Sequence, residues 1–250
     1  MSFEACAAIV EKGDPDRFLA TMAAPVAARC VLFPLYAFNV EISRAPWASD
    51  EPLIAEMRLQ WWVDALDEIQ SGGAVRKHEV TLPLAEILTA DTAQMLKACV
   101  EARRCDAHRQ RFTSKDDLSA YVKQTAGTLH KVAVRALGET NYDGWATSVG
   151  SGLGLANYLI GVPVFLARGI NPLPDMTEAE MHVLLTDHAS KLIGGTGKPS
   201  QMVRIADLSA WRATGILTRA LNDQTAIVDG RLGGSEFARR AGLLWRGLRT

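Results

Sequence analysis

The sequence predicts an all-α fold, on three observations. No stretch sustains period-two alternation with β-branched enrichment and hairpin turn residues. Apolar residues recur instead at steps of three and four. The breaks between such stretches are short and glycine-rich, as a compact helical bundle requires. With 250 residues, 48% hydrophobic and 22% charged, the composition is that of a globular protein. A chain of this length buries roughly 70–75% of its unfolded surface, so a single domain over 1–250 needs no disulfide or structural metal. No internal repeat or low-complexity segment interrupts it.

The elements follow in order. The opening residues MSFEACAAIVEKGD carry acids and no long apolar run. They look like neither a secretory signal nor an Arg-rich transit peptide, and the expected location is cytoplasmic, peripheral to the membrane if attached at all. Pro25 and Pro34 each suit the first turn of a helix, where a missing N–H costs little, and Pro46 closes the second of these helices. Asp50 is the expected N-cap of the next helix and Gly72 its end. Within it Ile54, Met57, Trp61, Ala65 and Ile69 form an expected buried stripe. Further helices are expected over about 81–108, 114–137, 142–167, 176–193, 199–228 and 235–248.

Residues 144–167 contain no charged side chain and are long enough to cross a bilayer. Three close glycines, an asparagine and a proline lower the apolar density, and the expected role is a buried central helix. GSGLGLA (150–156) follows no strand and so is not a dinucleotide loop. GGTGKP (194–199) has the wrong glycine spacing, with Pro199 where a phosphate loop needs Ser or Thr. The net charge of -1 gives no electrostatic argument for nucleic acid. Cys6, Cys30, Cys99 and Cys105 form no C-x-x-C pair. Cys99, Cys105 and His108 come nearest to a ligand cluster, but their loose spacing suits core thiols and a surface histidine in a reducing compartment.

Four segments in register then bear a resemblance. LYAFNVEISRAPW (35–47), MRLQWWVDAL (57–66), YVKQTAGTL (121–129) and NYLIGVPVFLARGINPLP (157–174) are similar in order and spacing to the squalene/phytoene synthase family. The resemblance implies an isoprenoid-synthase-like helical bundle around a central apolar cavity, and head-to-head condensation of prenyl diphosphates. That chemistry needs the charge on departing diphosphate to be neutralised, for which Mg²⁺ held by carboxylates is the usual means. Carboxylates four apart on two facing helices can hold such a cluster.

The positions that would carry those carboxylates hold other residues. Counting from Tyr36-Ala37-Phe38, the first set falls on Ser43, Arg44 and Trp47. Counting back from Leu173-Pro174, the second falls on Gly161 and Phe165. Family arginines correspond to Val40 and Ile160, while Asn157 matches and His130 replaces a glycine expected to face the cavity. Losing the metal cluster removes roughly four or more orders of magnitude in rate. A divergent branch, the phytoene-synthase-like assembly factors of respiratory complex I, is similar in Ala37-Phe38-Asn39-Val40-Glu41, in Met57-Arg58 with Gln60 and Trp61 or Trp62, and in Pro163.

The resemblance therefore implies a non-catalytic scaffold or assembly factor with a lipid cavity. The alternatives are a divergent prenyltransferase and a non-catalytic carrier of isoprenoid lipid. No cofactor is expected; Mg²⁺ enters only with the prenyltransferase. Arg44 either binds an anion without metal or complements a helix C-terminus. Tyr121, Gln124, Thr128, Asn157 and Tyr158 either line a pocket or make core hydrogen bonds. Asp64 and Glu68 either rebuild half a metal site or pair with a cation such as Arg58. His130 lacks a visible orienting acid for general-base work. Arg231, Arg239, Arg240, Arg246 and Arg249 form a basic end. It suits either an anionic lipid surface or acidic partner, including a membrane protein complex, or the dipole of a C-terminal helix.

Overall fold

The computed structural model describes residues 3–194, 197–234 and Leu243. Their regular structure is helical throughout. Helices α1 (Phe3–Gly13) and α2 (Pro15–Met22) stand ahead of the first helix expected from the sequence. Asp14 caps α2 by accepting the Arg17 backbone N–H at 3.0 Å.

Helix α3 (Val26–Arg44) starts after Pro25 but runs straight through Pro34, where the sequence predicts a helix start. The missing N–H leaves the Cys30 carbonyl without its helical donor. Cys30 is exposed, so water can take that place. A 3₁₀ turn over Ala45–Trp47 extends α3. Helix α4 (Pro52–Ser71) has Pro52 in its first turn and Glu51, not Asp50, at the N-cap position; Gly72 ends it at φ 68°.

The expected stripe on α4 is corrected in part. Ala65 and Ile69 are buried, but Met57 is 64% and Ile54 38% exposed. The face that enters the core carries Ala55, Leu59, Trp62 and Leu66. Two apolar stripes run side by side on this helix, and spacing alone does not rank them.

The segment expected as one helix over 81–108 is three: α5 (Thr81–Ile87), α6 (Ala90–Ala102) and α7 (Arg104–Ala107). Leu88 is extended, and Thr89 starts α6 with a capping box closed by Thr92. Helix α8 (Lys115–Val122) continues through a π turn (Lys123–Gly127) into α9 (Thr128–Ala136). Then come α10 (Asp143–Ala167) and α11 (Glu178–Lys191). The span expected as 199–228 breaks into α12 (Gln201–Asp207), a 3₁₀ turn, α13 (Ala213–Asn222) and α14 (Thr225–Val228). Of the expected helix over 235–248 only Leu243 is described; Arg239, Arg240, Arg246 and Arg249 lie outside the described residues.

Among the described residues two large apolar cores and two small ones result. One of the large cores gathers Leu35, Phe38, Leu59, Leu66 and Leu96 from α3, α4 and α6. The other gathers Leu118, Leu155, Leu159, Leu185 and Leu217 around α10. By length and composition, Val26–Trp47 and Asp143–Ala167 could each cross a membrane, and both are mostly buried inside the domain.

The glycines of α10 explain its central place. A Cβ on Gly150 would come within 2.7 Å of the Ala126 carbonyl oxygen and 2.6 Å of the His130 Cβ. One on Gly152 would meet the His188 carbonyl oxygen at 2.7 Å, and one on Gly154 the Ala126 Cβ at 2.7 Å. The run GSGLGLA is thus a close-approach surface for the π turn and α11. Gly150→Ala is expected to cost about 1–3 kcal/mol by overpacking, read as a lowered melting temperature. An unchanged melting temperature would contradict this packing.

His188, wholly buried on α11, joins α11 to α8. Its Nδ1–H donates to the Leu184 carbonyl at 3.0 Å, and the Ser119 hydroxyl donates to Nε2 at 3.2 Å. Burial, assisted by Lys191 and opposed by the Leu184 carbonyl and Asp187, holds its pKa below the ordinary 6.5. Below that pH the unfolded chain takes up a proton that the folded chain does not. Stability is therefore expected to fall as the pH drops from 6.5 toward the folded-state pKa. Denaturant titrations should show a smaller fall in that window for His188→Gln; an equal fall would assign it elsewhere.

Candidate functional site

A cavity of about 710 Å³ opens between the C-terminal end of α3, the start of α2, α8 and α10. Ser43, Arg44, Trp47, Gly161 and Phe165 all lie on its lining, as do Tyr121, Asn157 and Tyr158. Gln124 does not. It is exposed, and Thr125 takes the place beside Tyr121, its hydroxyl donating to the Tyr121 carbonyl at 2.7 Å. The π turn is the reason, since its wider winding brings i+4 rather than i+3 back to the Tyr121 face.

The rim is closed by stacking. The Trp47 and Phe165 rings lie 5.0 Å apart, tying the end of α3 to α10. The Arg109 guanidinium sits 3.9 Å over the Trp47 ring. Arg109 has φ 53° and donates to the Pro46 and Asp106 carbonyls, each at 2.8 Å.

The lining is strongly cationic. Arg17, Arg44, Arg103, Arg109, Arg111 and Arg212 face three carboxylates, Asp14, Asp16 and Asp106. Arg17 pairs with Asp14 at 2.5 Å, Arg212 with Asp16, and Arg103 with Asp106 at 3.5 Å. Arg111 reaches outward to Asp175 at 2.5 Å. Among the described residues Arg44 has no such partner. Asp106 also accepts the Tyr121 hydroxyl at 2.6 Å. Burial pushes the Asp106 carboxyl above its usual range against the pull of Arg103, and raises the Tyr121 and Tyr158 hydroxyls. The Tyr158 hydroxyl donates to the Pro172 carbonyl at 2.7 Å.

This donor set does not fit Mg²⁺. Each lining carboxylate is taken by an arginine, and an octahedral hard cation would have to displace those guanidiniums. Asp64 and Glu68 lie outside the lining. Both are gathered by Arg76, not Arg58: Glu68 at 2.8 Å and Asp64 at 3.8 Å. Among the described residues no group of three His, Cys, Asp or Glu side chains could hold a metal ion. Cys105 bonds the Ala102 carbonyl, while His108 pairs with Glu56 at 3.0 Å. Burial pushes the Cys105 thiol up to about 12 and that of Cys99 to about 11, so both are poor nucleophiles.

His130 does not line the cavity. It is buried and its Nε2 meets Asp207 Oδ1 at 2.8 Å, while Asp207 Oδ2 accepts the Trp145 indole N–H at 2.9 Å. The acid missing from the sequence reading comes from α12, 77 residues away. Arg17, Arg103, Arg109, Arg212 and Asp106 were also not foreseen. The arginine density over 103–111 was the available signal; nothing in the sequence brings α2 and Arg212 to the same cavity.

Comparison with known proteins agrees with this architecture. Residues 10–231 match the squalene/phytoene synthase family model. A dehydrosqualene synthase crystallised with ligand shares the fold, with a TM-score of 0.64 at 15% identity, over 99% of this chain and 96% of that one. A Drosophila melanogaster protein named NADH dehydrogenase (ubiquinone) complex I, assembly factor 6 homolog is 31% identical over 167 residues, 64% of this chain. The Bos taurus complex I assembly factor 6 is 24% identical over 177 residues, 65% of this chain. The chain matches over 50% of the length of each of these relatives. With the family model spanning nearly the whole helical domain and its cavity, the chain belongs to the squalene/phytoene synthase family.

Proposed function

We propose that this chain is a non-catalytic member of the family that serves in the assembly of respiratory complex I. The observation that carries the reading is the Trp47–Phe165 contact at 5.0 Å. At the two places where facing carboxylates would hold Mg²⁺, two aromatic rings join the helices directly. The bundle is thereby held by apolar contact where a synthase needs charge neutralisation. Similarity to proteins named as complex I assembly factors supports the assembly role. Both long apolar helices are mostly buried inside the domain, which favours a protein working at the membrane periphery.

The test is disruption of the gene in its own cells, followed by native electrophoresis of the membranes and NADH oxidation assays. Assembled complex I should fall and return on re-expression of the chain. Complex I at normal abundance without the chain would refute the assembly role.

A further inference from the structure

A second pocket, of about 430 Å³, opens between the end of α3, the 3₁₀ turn and α4, and shares only Arg44 with the cavity described above. Two short segments singled out in the sequence meet here. Glu41 ends the first, over 37–41, and Met57, Arg58, Trp61 and Trp62 belong to the second, over 57–62. The floor is aromatic and fixed in place. The Trp61, Trp62 and His78 rings meet edge to face at centroid distances of 4.9, 5.3 and 5.5 Å. Arg76 lies 5.0 Å over the Trp61 ring and donates to the Trp61 carbonyl at 3.1 Å, so the indole is held before anything binds. Beside this floor runs the exposed apolar stripe of α4. Leu53 is 71% exposed, and Ile54 and Met57 stand exposed in line with Trp61. Contiguous exposed apolar surface marks a contact site, and Trp, Met and Arg are enriched at the centres of such contacts. From Leu53 to Trp61 the stripe spans about 12 Å, the length of two turns of a partner helix.

The rim carries charge that the chain itself leaves open. Arg44 and Arg58 are exposed and face a single lining carboxylate, Glu41. Among the described residues neither arginine has an ion-pair partner. Two other carboxylates of α4 are engaged elsewhere, Glu56 by Arg104 and by His108 at 3.0 Å, and Asp64 by the Gln60 amide at 2.8 Å. A bilayer fits this face poorly. The pocket is concave, and Asp50 and Glu51 stand exposed at the start of the stripe, where they would repel anionic headgroups.

We propose that this face of α4 is the docking site for an amphipathic helix of another protein. That helix seats a large apolar side chain against Met57 and Trp61 and places a carboxylate against Arg58 and Arg44. Recognition of a helix in a groove uses anchors three or four residues apart, which the stripe is long enough to receive. A carboxylate set against two unpaired guanidiniums fixes the register and steers the encounter. The inference stands independently of the assembly role.

Photocrosslinking of the whole chain in its own cells tests it, with benzoylphenylalanine placed at Leu53 and, as a control, at Val183, an exposed position on α11. The Leu53 position should join one protein, at a helical segment in which an apolar and an acidic residue stand three or four apart. A synthetic peptide of that segment should bind the purified chain. Arg58→Glu should weaken that binding about tenfold or more, in protein whose circular dichroism is unaltered because the arginine is exposed. Exchanging the acidic residue of the peptide for lysine should restore binding to this variant. A crosslink confined to lipid would identify a membrane surface instead, and one confined to a second copy of the chain an oligomer contact; either would overturn the proposal. So would a yield at Leu53 no greater than at Val183, or peptide binding indifferent to Arg58→Glu.

Discussion

Incubation of the purified protein with farnesyl or geranylgeranyl diphosphate and Mg²⁺ is expected to yield no condensed hydrocarbon or alcohol. Departure of diphosphate concentrates negative charge on its oxygens, and the barrier falls only where fixed positive charge meets it. Arginines can bind a diphosphate in its ground state. A metal cluster additionally withdraws charge as the bond breaks, and that difference is what acceleration requires. The cavity carboxylates are engaged by Arg17, Arg103 and Arg212. The Trp47–Phe165 stack occupies the place between the helices. A deficit of roughly four or more orders of magnitude leaves about one ten-thousandth of a synthase's turnover or less, to be read against a no-protein control. Extraction into hexane reads this directly. Product above that control, in folded protein, would mean that a metal is held by groups now paired with arginine, and the enzymatic reading would replace the assembly role.

Asp207→Ala is expected to destabilise the domain by about 3 kcal/mol. The aspartate holds His130 on α9 and Trp145 on α10 at once, at 2.8 and 2.9 Å. Removing it leaves two donors or acceptors without partners, each worth about 1–3 kcal/mol where water cannot reach. His130 is 3% exposed; Trp145 is half-buried and contributes less. For a domain of this length the melting temperature should drop by about 6–12 °C. Asp207→Asn, which keeps one acceptor, should lose less. Equal loss in both variants would show that charge, and not the shared hydrogen bonds, is what His130 requires; no loss in either would show the contact to be incidental.

Helical content was legible because periodic apolar spacing is a local property. The span of α10 and the end of α4 at Gly72 could be read from nearby residues. Boundaries failed where tertiary contacts overrode a local rule. Pro34 sits inside α3 because its neighbours Phe33, Leu35 and Phe38 are buried on the core side, while the carbonyl it leaves free belongs to exposed Cys30. Gln124 left the expected face because one π turn shifts every later side chain, and that turn ends on Gly127, where the helix and α10 pack closely.

By itself the sequence determined an all-α fold and its family, and it singled out Ser43, Arg44, Trp47, Gly161 and Phe165, which line the cavity. These depend on spacing along one chain, which local geometry translates into helical faces. Only the tertiary structure decided that the cavity is ringed by arginines, that Asp64 and Glu68 serve Arg76, and that His130 is an anchor tied to Asp207. Each of those partners comes from a different segment, and charge-bearing atoms acquire their meaning from what stands within a few ångströms, a distance that sequence separation does not measure.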